Sequence, residues 1–257
     1  MGIYNCEPTL AEALDSLMAQ TYDDFHVIMC DDGSTDGTLA LAQDYARRYP
    51  ERFTIIANER NMGLIKSLNR CLELAQSELI ARMDGDDISL PERFKIEVDY
   101  LDAHPDVDFV GCMVSRFDEN GIFRRQIPGI YTPGPADFVR GRCYVHSTTM
   151  FRRKSLEIVG GYTDDARLLR VEDFDLWMKL YKFRQKGYNL PDNLYLVRDD
   201  RNAYRRRSWR GRVNEARCIA RCIETFGLPR RDYIYAVLPI LKYFTPVFVY
   251  NYFHRRQ

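Results

Sequence analysis

Leu79-Ile80-Ala81-Arg82-Met83-Asp84-Gly85-Asp86-Asp87 is the stretch on which the fold turns. A mostly apolar run of five residues ends in three carboxylates within four positions. Such a run reads as a short buried strand, and an acidic turn at its carboxyl end reads as a site. Asp84 and Asp86 are separated by one residue on a loop, so two hard oxygen ligands can share a divalent cation such as Mn²⁺ or Mg²⁺. A solvated Asp/Gly turn is the plainer reading. Yet three acids packed so closely repel one another and favour a site where something positive neutralises them.

Working outward, apolar strands and helical stripes alternate on both sides. Phe53–Ala57 is strand-like, and Leu64, Leu68, Cys71, Leu72 and Ala75 form a helical stripe. Earlier, Phe25–Cys30 is a nearly continuous apolar run ending in the turn-rich Asp31-Asp32-Gly33-Ser34-Thr35-Asp36-Gly37; the helix after it stops near Tyr49-Pro50. Thr9-Leu10-Ala11-Glu12 and Ser89-Leu90-Pro91-Glu92 both have the form of capping boxes, the second opening a helix to about Ala103. Asp108–Val114 is a further strand. This alternation predicts an α/β fold, a doubly wound and mainly parallel sheet with helices on both faces. Ligands of such sheets bind outside the carboxyl ends of the strands, where both acidic runs fall.

After residue 115 the pattern changes. A Gly/Pro-rich stretch from Gly121 to Pro135 precedes the strand-like Val145–Phe151, then Gly160-Gly161-Tyr162, then a helix from about Glu172 to Lys186. Three segments follow: residues 1–115, residues 116–197 as the acceptor side of the same domain, and a basic C-terminal extension, 198–257. Acids in a first helical turn favour the helix dipole whatever their function, so Glu172-Asp173 reads as capping first. Asp31 and Asp32 read equally well as caps, Tyr4 as packing, and His146 as a satisfied structural residue.

Net charge is zero, but from Arg198 onward there are 14 Lys/Arg against 5 Asp/Glu, the rest of the chain carrying 23 against 32. An acidic body joined to a basic tail suggests an anionic partner for the tail, a membrane surface or phosphate groups. Seven scattered cysteines without a Cys-x-x-Cys pair fit reduced thiols and a cytoplasmic setting, and no signal peptide or nucleic-acid module is visible.

Taken together, residues Gly2 to about Phe183 resemble the family-2 glycosyltransferases with the GT-A fold, a group that includes bacterial capsule, exopolysaccharide and O-antigen enzymes. The resemblance rests on Ile3-Tyr4-Asn5, Leu14-Asp15-Ser16-Leu17 with Gln20-Thr21-Tyr22, Asp31–Thr38, Asn58 and Asn61-Met62-Gly63-Leu64. It continues through Asp84–Asp87 with Pro91-Glu92-Arg93, Gly160-Gly161-Tyr162 and Glu172-Asp173. It implies a nucleotide-sugar donor bound by Tyr4, Asn5, Asp31, Asp32, Asp84 and Arg82, with Tyr4 against the base, Asp32 at the base edge and Asp84 by the ribose and diphosphate. It further implies Asp86 and Asp84 as metal ligands, and Asp173, assisted by Glu172, as the general base of an inverting displacement. Two departures stand out. Met1-Gly2-Ile3 reads as the end of a strand whose body is missing, and the Gln-x-x-Arg-Trp motif of processive synthases is absent, although Arg207-Ser208-Trp209-Arg210 is superficially similar.

The extension carries Arg201, Arg205, Arg206, Arg207 and Arg210 around Tyr204 and Trp209, a set suited to diphosphate or to a solvated helix face. Tyr233–Phe253 is nearly all apolar or aromatic, but Pro239, Pro246 and Lys242 argue against a transmembrane helix. An interfacial helix on anionic lipid at the inner face of the membrane is expected, with a polyprenyl-diphosphate-linked saccharide as acceptor; a packed helix is the alternative. Competing functions are a haloacid-dehalogenase-like phosphatase, a nucleotidyltransferase and a catalytically impaired, membrane-associated partner subunit. The first expects Thr or Val where Asp87-Ile88 stands; the second expects a Gly-rich basic loop near the N-terminus.

Overall fold

The computed structural model describes residues 1–126, 129–199 and 208–244. Its first part runs β1 (Gly2–Ile3), α1 (Glu7–Met18), β2 (Val27–Asp31), α2 (Thr38–Arg48), β3 (Phe53–Ala57) and α3 (Leu64–Leu74). The three strands form one parallel sheet in the order β1-β2-β3. Leu10, Ala13, Leu14 and Leu17 of α1, and Ile65, Leu68 and Cys71 of α3, are buried at the spacing of one helix face.

A second sheet follows, from β4 (Leu79–Ala81), β5 (Ile88–Ser89), α4 (Arg93–Ala103), β6 (Phe109–Asp118), β7 (Gly121–Arg125) and α5 (Pro135–Phe138), then β8 (Met150–Arg152), α6 (Arg153–Val159), α7 (Glu172–Lys182) and β9 (Gly187–Arg198). Its order is β4-β8-β6-β9-β5, with β7 on β6. Only β6 and β9 pair in parallel; the other contacts are antiparallel. The α/β class holds, and the parallel expectation holds for the first sheet, but the second is mixed. The antiparallel pairs come from β8, which returns beside β4 and β6, from the β6–β7 hairpin, and from β5 on the edge against β9. β6 runs through residue 115, so both halves of the domain share this sheet.

Beyond it, α8 (Trp209–Phe226) buries Cys218, Ile219, Cys222 and Ile223 against the core that holds Trp177 and Phe138, and α9 (Tyr233–Tyr243) packs on α8. The seven cysteines are unbridged. No helix among the described residues is long and apolar enough to cross a membrane. Arg201, Tyr204, Arg205, Arg206 and Arg207, and the segment from Pro246 onward, lie outside the described residues.

One local expectation holds: Gly2 and Ile3 form a two-residue strand end that pairs with Cys30 and Asp31 of β2, and the Met1 amine donates to Ile28 O at 2.7 Å. Several others need correcting. Neither capping box forms. α1 starts at Glu7 with Pro8 in its first turn, and Thr9 Oγ1 instead donates to Cys6 O and to Gly85 O of the acidic run. Ser89 belongs to β5, and α4 begins at Arg93. Val145–Phe151 holds a 3-10 turn, His146–Thr148, before β8. α7 stops at Lys182 because Arg184 takes a left-handed φ of 60° and Gln185 N–H closes onto Leu180 O. β9 was not anticipated, since Pro191-Asp192-Asn193 interrupts its alternation.

Candidate active site

Two turns meet at the carboxyl end of the first sheet. Asp31, the last residue of β2, turns its Oδ2 onto the Gly33 and Ser34 N–H groups at 3.1 and 3.0 Å, while its buried Oδ1 has no partner among the described residues. Gly33 sits at φ 72°, and a Cβ there would lie 2.5 Å from the Arg60 backbone, so only glycine fits. Asp32 points the other way. Its carboxylate accepts from Asn58 Nδ2 at 2.7 Å and from the Met62 and Gly63 N–H groups at 2.8 Å each. Asp32 therefore holds the loop before α3. Asn5, at φ 46°, accepts the Thr35 N–H at 2.8 Å and donates its own to Ser34 Oγ at 3.0 Å. The neighbouring Tyr4 is 45% exposed.

The acidic run follows β4. One carboxylate oxygen from each of Asp84, Asp86 and Asp87 lies within 4.8 Å of the others. Burial, with Asp84 and Asp86 adding like charge, raises the Asp87 carboxyl well above the usual range. An arrangement that penalises its own ionisation is what hard oxygen ligands look like without their cation, so the donor set fits a divalent metal. The backbone of the run is fixed from several sides. Tyr195 Oη accepts the Asp84 N–H at 3.2 Å, Arg198 N–H donates to Asp87 Oδ1 at 2.8 Å, and Arg198 Nε donates to Asp86 O at 2.8 Å. Arg93 Nη2, fully buried, holds Arg82 O at 2.9 Å.

Arg82 pairs with Asp84 and is itself buried, its Nε without a partner among the described residues. Its charge also acts on Glu172 and Asp173 at the start of α7. Burial raises both of those carboxyls above their usual values. Asp173 accepts the Phe174 N–H at 2.7 Å. Asp175, two residues on, is committed elsewhere: it accepts from Thr163 Oγ1 at 2.7 Å and pairs with Arg221 of α8. Burial and the Arg82 charge hold His146 well below its ordinary pKa, and it meets Tyr162 Oη at 2.7 Å; it is a neutral packing partner, as expected of a lone histidine.

The matches with known proteins fall on this geometry. Residues 1–160 match the model of glycosyl transferase family 2. The chain belongs to that family. Among relatives, a putative glycosyltransferase EpsE of Bacillus subtilis is 40% identical over 258 residues, covering 100% of this chain and 92% of that protein. The amylovoran biosynthesis glycosyltransferase AmsE of Erwinia amylovora is 33% identical, covering 81% of this chain and 79% of its own. Among solved structures, Staphylococcus aureus TarS 1-349 in complex with UDP-GlcNAc superposes with a TM-score of 0.71 at 19% identity, over 94% of this chain and 69% of that one. The mannosyltransferase PcManGT of Pyrobaculum calidifontis, in complex with GDP-Man and Mn²⁺, gives 0.66 at 19%, over 94% and 72%. At such identities these likenesses speak for the fold, which is that of the GT-A glycosyltransferases.

Within this family-2 glycosyltransferase the structure gathers Arg82, Asp84, Asp86, Glu172 and Asp173 into one electrostatically linked group, and Tyr4, Asn5, Asp31 and Asp32 into a second around the first-sheet turns. Sequence reasoning missed Tyr195 and Arg198, which secure the acidic run from β9, and Arg93, which secures its strand. Arg93 lay in a quoted motif, Pro91-Glu92-Arg93, so its buried position had a signal. Tyr195 and Arg198 had none without β9.

Proposed function

We propose that this chain is an inverting glycosyltransferase that moves a sugar from a nucleoside-diphosphate donor, a UDP-sugar, to a saccharide acceptor in bacterial surface-polysaccharide synthesis. The observation that carries the reading is the joining, through buried Arg82, of the Asp84–Asp86–Asp87 cluster to the acids opening α7. On the donor side, the exposed Tyr4 ring offers a face for the base, and Asn5 ties its backbone to the turn. Asp31, with its unmet oxygen, is better suited to the base edge than Asp32, whose carboxylate already takes three donors. Arg82 and Asp84 take the ribose and diphosphate side.

Asp86 and Asp84 would hold the Mn²⁺ or Mg²⁺ ion, which supplies positive charge to the departing nucleoside diphosphate. Asp173 accepts the proton of the acceptor hydroxyl as that oxygen bonds to the anomeric carbon, while the bond to the diphosphate breaks on the opposite face. Glu172 assists by sharing the negative field. Burial raises the Asp173 carboxyl above its ordinary value, which makes its carboxylate a stronger base. Donors in the TarS and PcManGT structures, UDP-GlcNAc and GDP-Man, are of the chemistry proposed.

The same reading places the acceptor on a polyprenyl diphosphate and the enzyme on the inner face of the cell membrane. Its support is α9, where Ile234, Val237, Leu238 and Leu241 form an exposed stripe at helical spacing, continued by Phe244 at 69% exposure, with Lys242 beside it. A helix that turns its apolar stripe to solvent fits the interface of a bilayer. The rival reading, a catalytically impaired partner, drew on the missing body of the first strand; the acids linked through buried Arg82 favour the enzyme reading instead. The deciding experiment incubates the protein with Mn²⁺ and a panel of nucleotide sugars and measures nucleoside diphosphate release. Release from one donor, lost with EDTA, is expected; no release from any donor would sink the enzyme reading.

A further inference from the structure

A concave site lies on one face of α8, with none of the acidic run in its lining. It is an open cleft of about 240 Å³ lined by Arg167, Trp209, Arg210, Val213, Asn214 and Arg217. Five of these come from α8 at i, i+1, i+4, i+5 and i+8, one continuous helix face. The sixth, Arg167, stands on the 3-10 turn Ala166–Leu168. Three guanidinium groups therefore face one space whose lining holds no carboxylate.

Arg167 is committed to Asp165, onto which it forks, but Arg210 and Arg217 are only lightly held. Arg210 Nη2 reaches Ala166 O at 3.5 Å. Arg217 has no ion-pair or hydrogen-bond partner among the described residues. Asn214, 2% exposed, fixes the floor by donating to Leu169 O at 3.2 Å. The cleft runs along the first half of an 18-residue helix. Planar guanidinium forks are matched to phosphate oxygens, two at a time.

Two features say where that anion would come from. The turn held by Arg210 and Asn214 runs in four residues from Leu169 to Asp173, and Glu215 of the same helix acts electrostatically on Asp173, so α8 carries the cleft near the proposed base. Its lip is Trp209, 48% exposed, which packs edge-on against Tyr243 and Phe244 at 5.4 and 6.2 Å between ring centres. Those aromatics end the exposed stripe of α9. A phosphate held there would sit between the lipid-facing stripe and the base.

Resting on the lipid-linked acceptor reading, we infer that this cleft binds the diphosphate of the acceptor, with Arg210 and Arg217 gripping its oxygens and Trp209 against the first units of its hydrocarbon chain. The bilayer's own phosphate headgroups are the other source of the same chemistry, and the test separates the two.

The full chain is titrated with farnesyl diphosphate in EDTA, where no metal fills the acidic run, and binding is followed by calorimetry. Saturable binding is expected, weakened at least tenfold by Arg210→Ala and by Arg217→Ala, partly restored in Arg217→Lys, and unchanged by Asp86→Asn. Both arginines are exposed, so unchanged melting temperatures serve as the folding control. In parallel, binding to phosphatidylglycerol-containing vesicles is measured; the arginine variants should change it less than threefold. Farnesyl diphosphate binding that ignores both arginines, or that disappears in Asp86→Asn, overturns the inference. Equal loss of vesicle and farnesyl diphosphate binding in the arginine variants also overturns it, assigning the cleft to bilayer headgroups. None of these readouts requires sugar transfer, so failure of the donor assay would leave them interpretable.

Discussion

The Asp32 carboxylate and the Asn58 side-chain amide meet at 2.7 Å beneath the loop that opens α3, and the same carboxylate takes the Met62 and Gly63 N–H groups. An acid offered by its motif as a ligand contact is thus a structural bracket joining the ends of β2 and β3. Removing it leaves two backbone donors unmet, and one N–H of an amide whose nitrogen keeps its bond to Ser67 Oγ, each costing about 1–3 kcal/mol when no water replaces the partner. Asp32→Ala is expected to lower the melting temperature by several degrees even with no nucleotide present. Equal melting curves for wild type and variant in nucleotide-free buffer would return Asp32 to a pure binding role.

The acidic run makes a sharper prediction about metal. Asp86→Asn should leave the fold intact, because the backbone of the run is held by Tyr195, Arg198 and Arg93 from outside it. It should abolish the Mn²⁺-dependent part of nucleotide-sugar binding, measured by titration with and without the ion. Retained metal-dependent affinity would remove Asp86 from the ligand set.

For the base, Asp173→Asn should reduce transfer by about 10²–10⁴-fold while sparing donor affinity. The pH profile carries the same information. Burial raises the Asp173 carboxyl, and only the ionised form accepts a proton, so activity falls as pH drops through that raised value. The acidic limb should therefore lie above the ordinary aspartate pKa of about 3.9. A limb at or below that value, or full transfer by the variant, would show that another group is the base.

How much of this was legible in the sequence depended on the range over which each interaction acts. β2, β3 and α3 announced themselves because an apolar run or a 3.6-residue stripe is local, and Asp84 and Asp86 did so because they are neighbours. The capping boxes misled for the same reason. Thr9 and Ser89 have the right local chemistry, but Thr9 is taken by Gly85 O and Ser89 by strand pairing with Tyr195. β9 has no local signature, since two register shifts accommodate Pro191-Asp192-Asn193 against β6. With β9 hidden, so were Tyr195 and Arg198, whose partners lie more than a hundred residues upstream. The parallel first sheet was predictable from alternation; the antiparallel return of β8 was not.

Arg93 and Glu97 form an ion pair at 3.1 Å with both side chains fully buried, and Arg93 also holds Arg82 O. Arg93→Met breaks the pair and frees the strand that carries the acidic run, at a cost of about 3–5 kcal/mol, or about 10 °C in melting temperature. Burial also raises the Glu97 carboxyl from 4.5 to about 7. Below pH 4.5 both folded and unfolded chains keep that proton. Between 4.5 and 7 the unfolded chain has released it and the folded chain has not, so unfolding liberates a proton and stability falls as pH rises. Above about 7 the contribution is flat. Melting temperatures of wild type and Glu97→Gln, measured from pH 4 to 8, should diverge in slope only inside that window. Parallel curves across it would mean that Glu97 is ionised throughout.

The exposed stripe of α9 yields the last prediction. Ile234 and Leu241 are each 57% exposed, so replacing them changes little of what packs inside the protein. Burying one such side chain in the acyl boundary contributes roughly 2 kcal/mol, or about thirtyfold in partitioning. Ile234→Asp and Leu241→Asp should each weaken binding to anionic vesicles by at least tenfold, with melting temperature and donor hydrolysis unchanged. Lys242→Glu should weaken it less, and only at low salt, because a single interfacial charge contributes about 1 kcal/mol and is screened within a Debye length. Were the stripe instead a contact between protein copies, the aspartate variants would change sedimentation and leave vesicle binding alone. The two measurements on one pair of variants therefore decide whether α9 meets lipid.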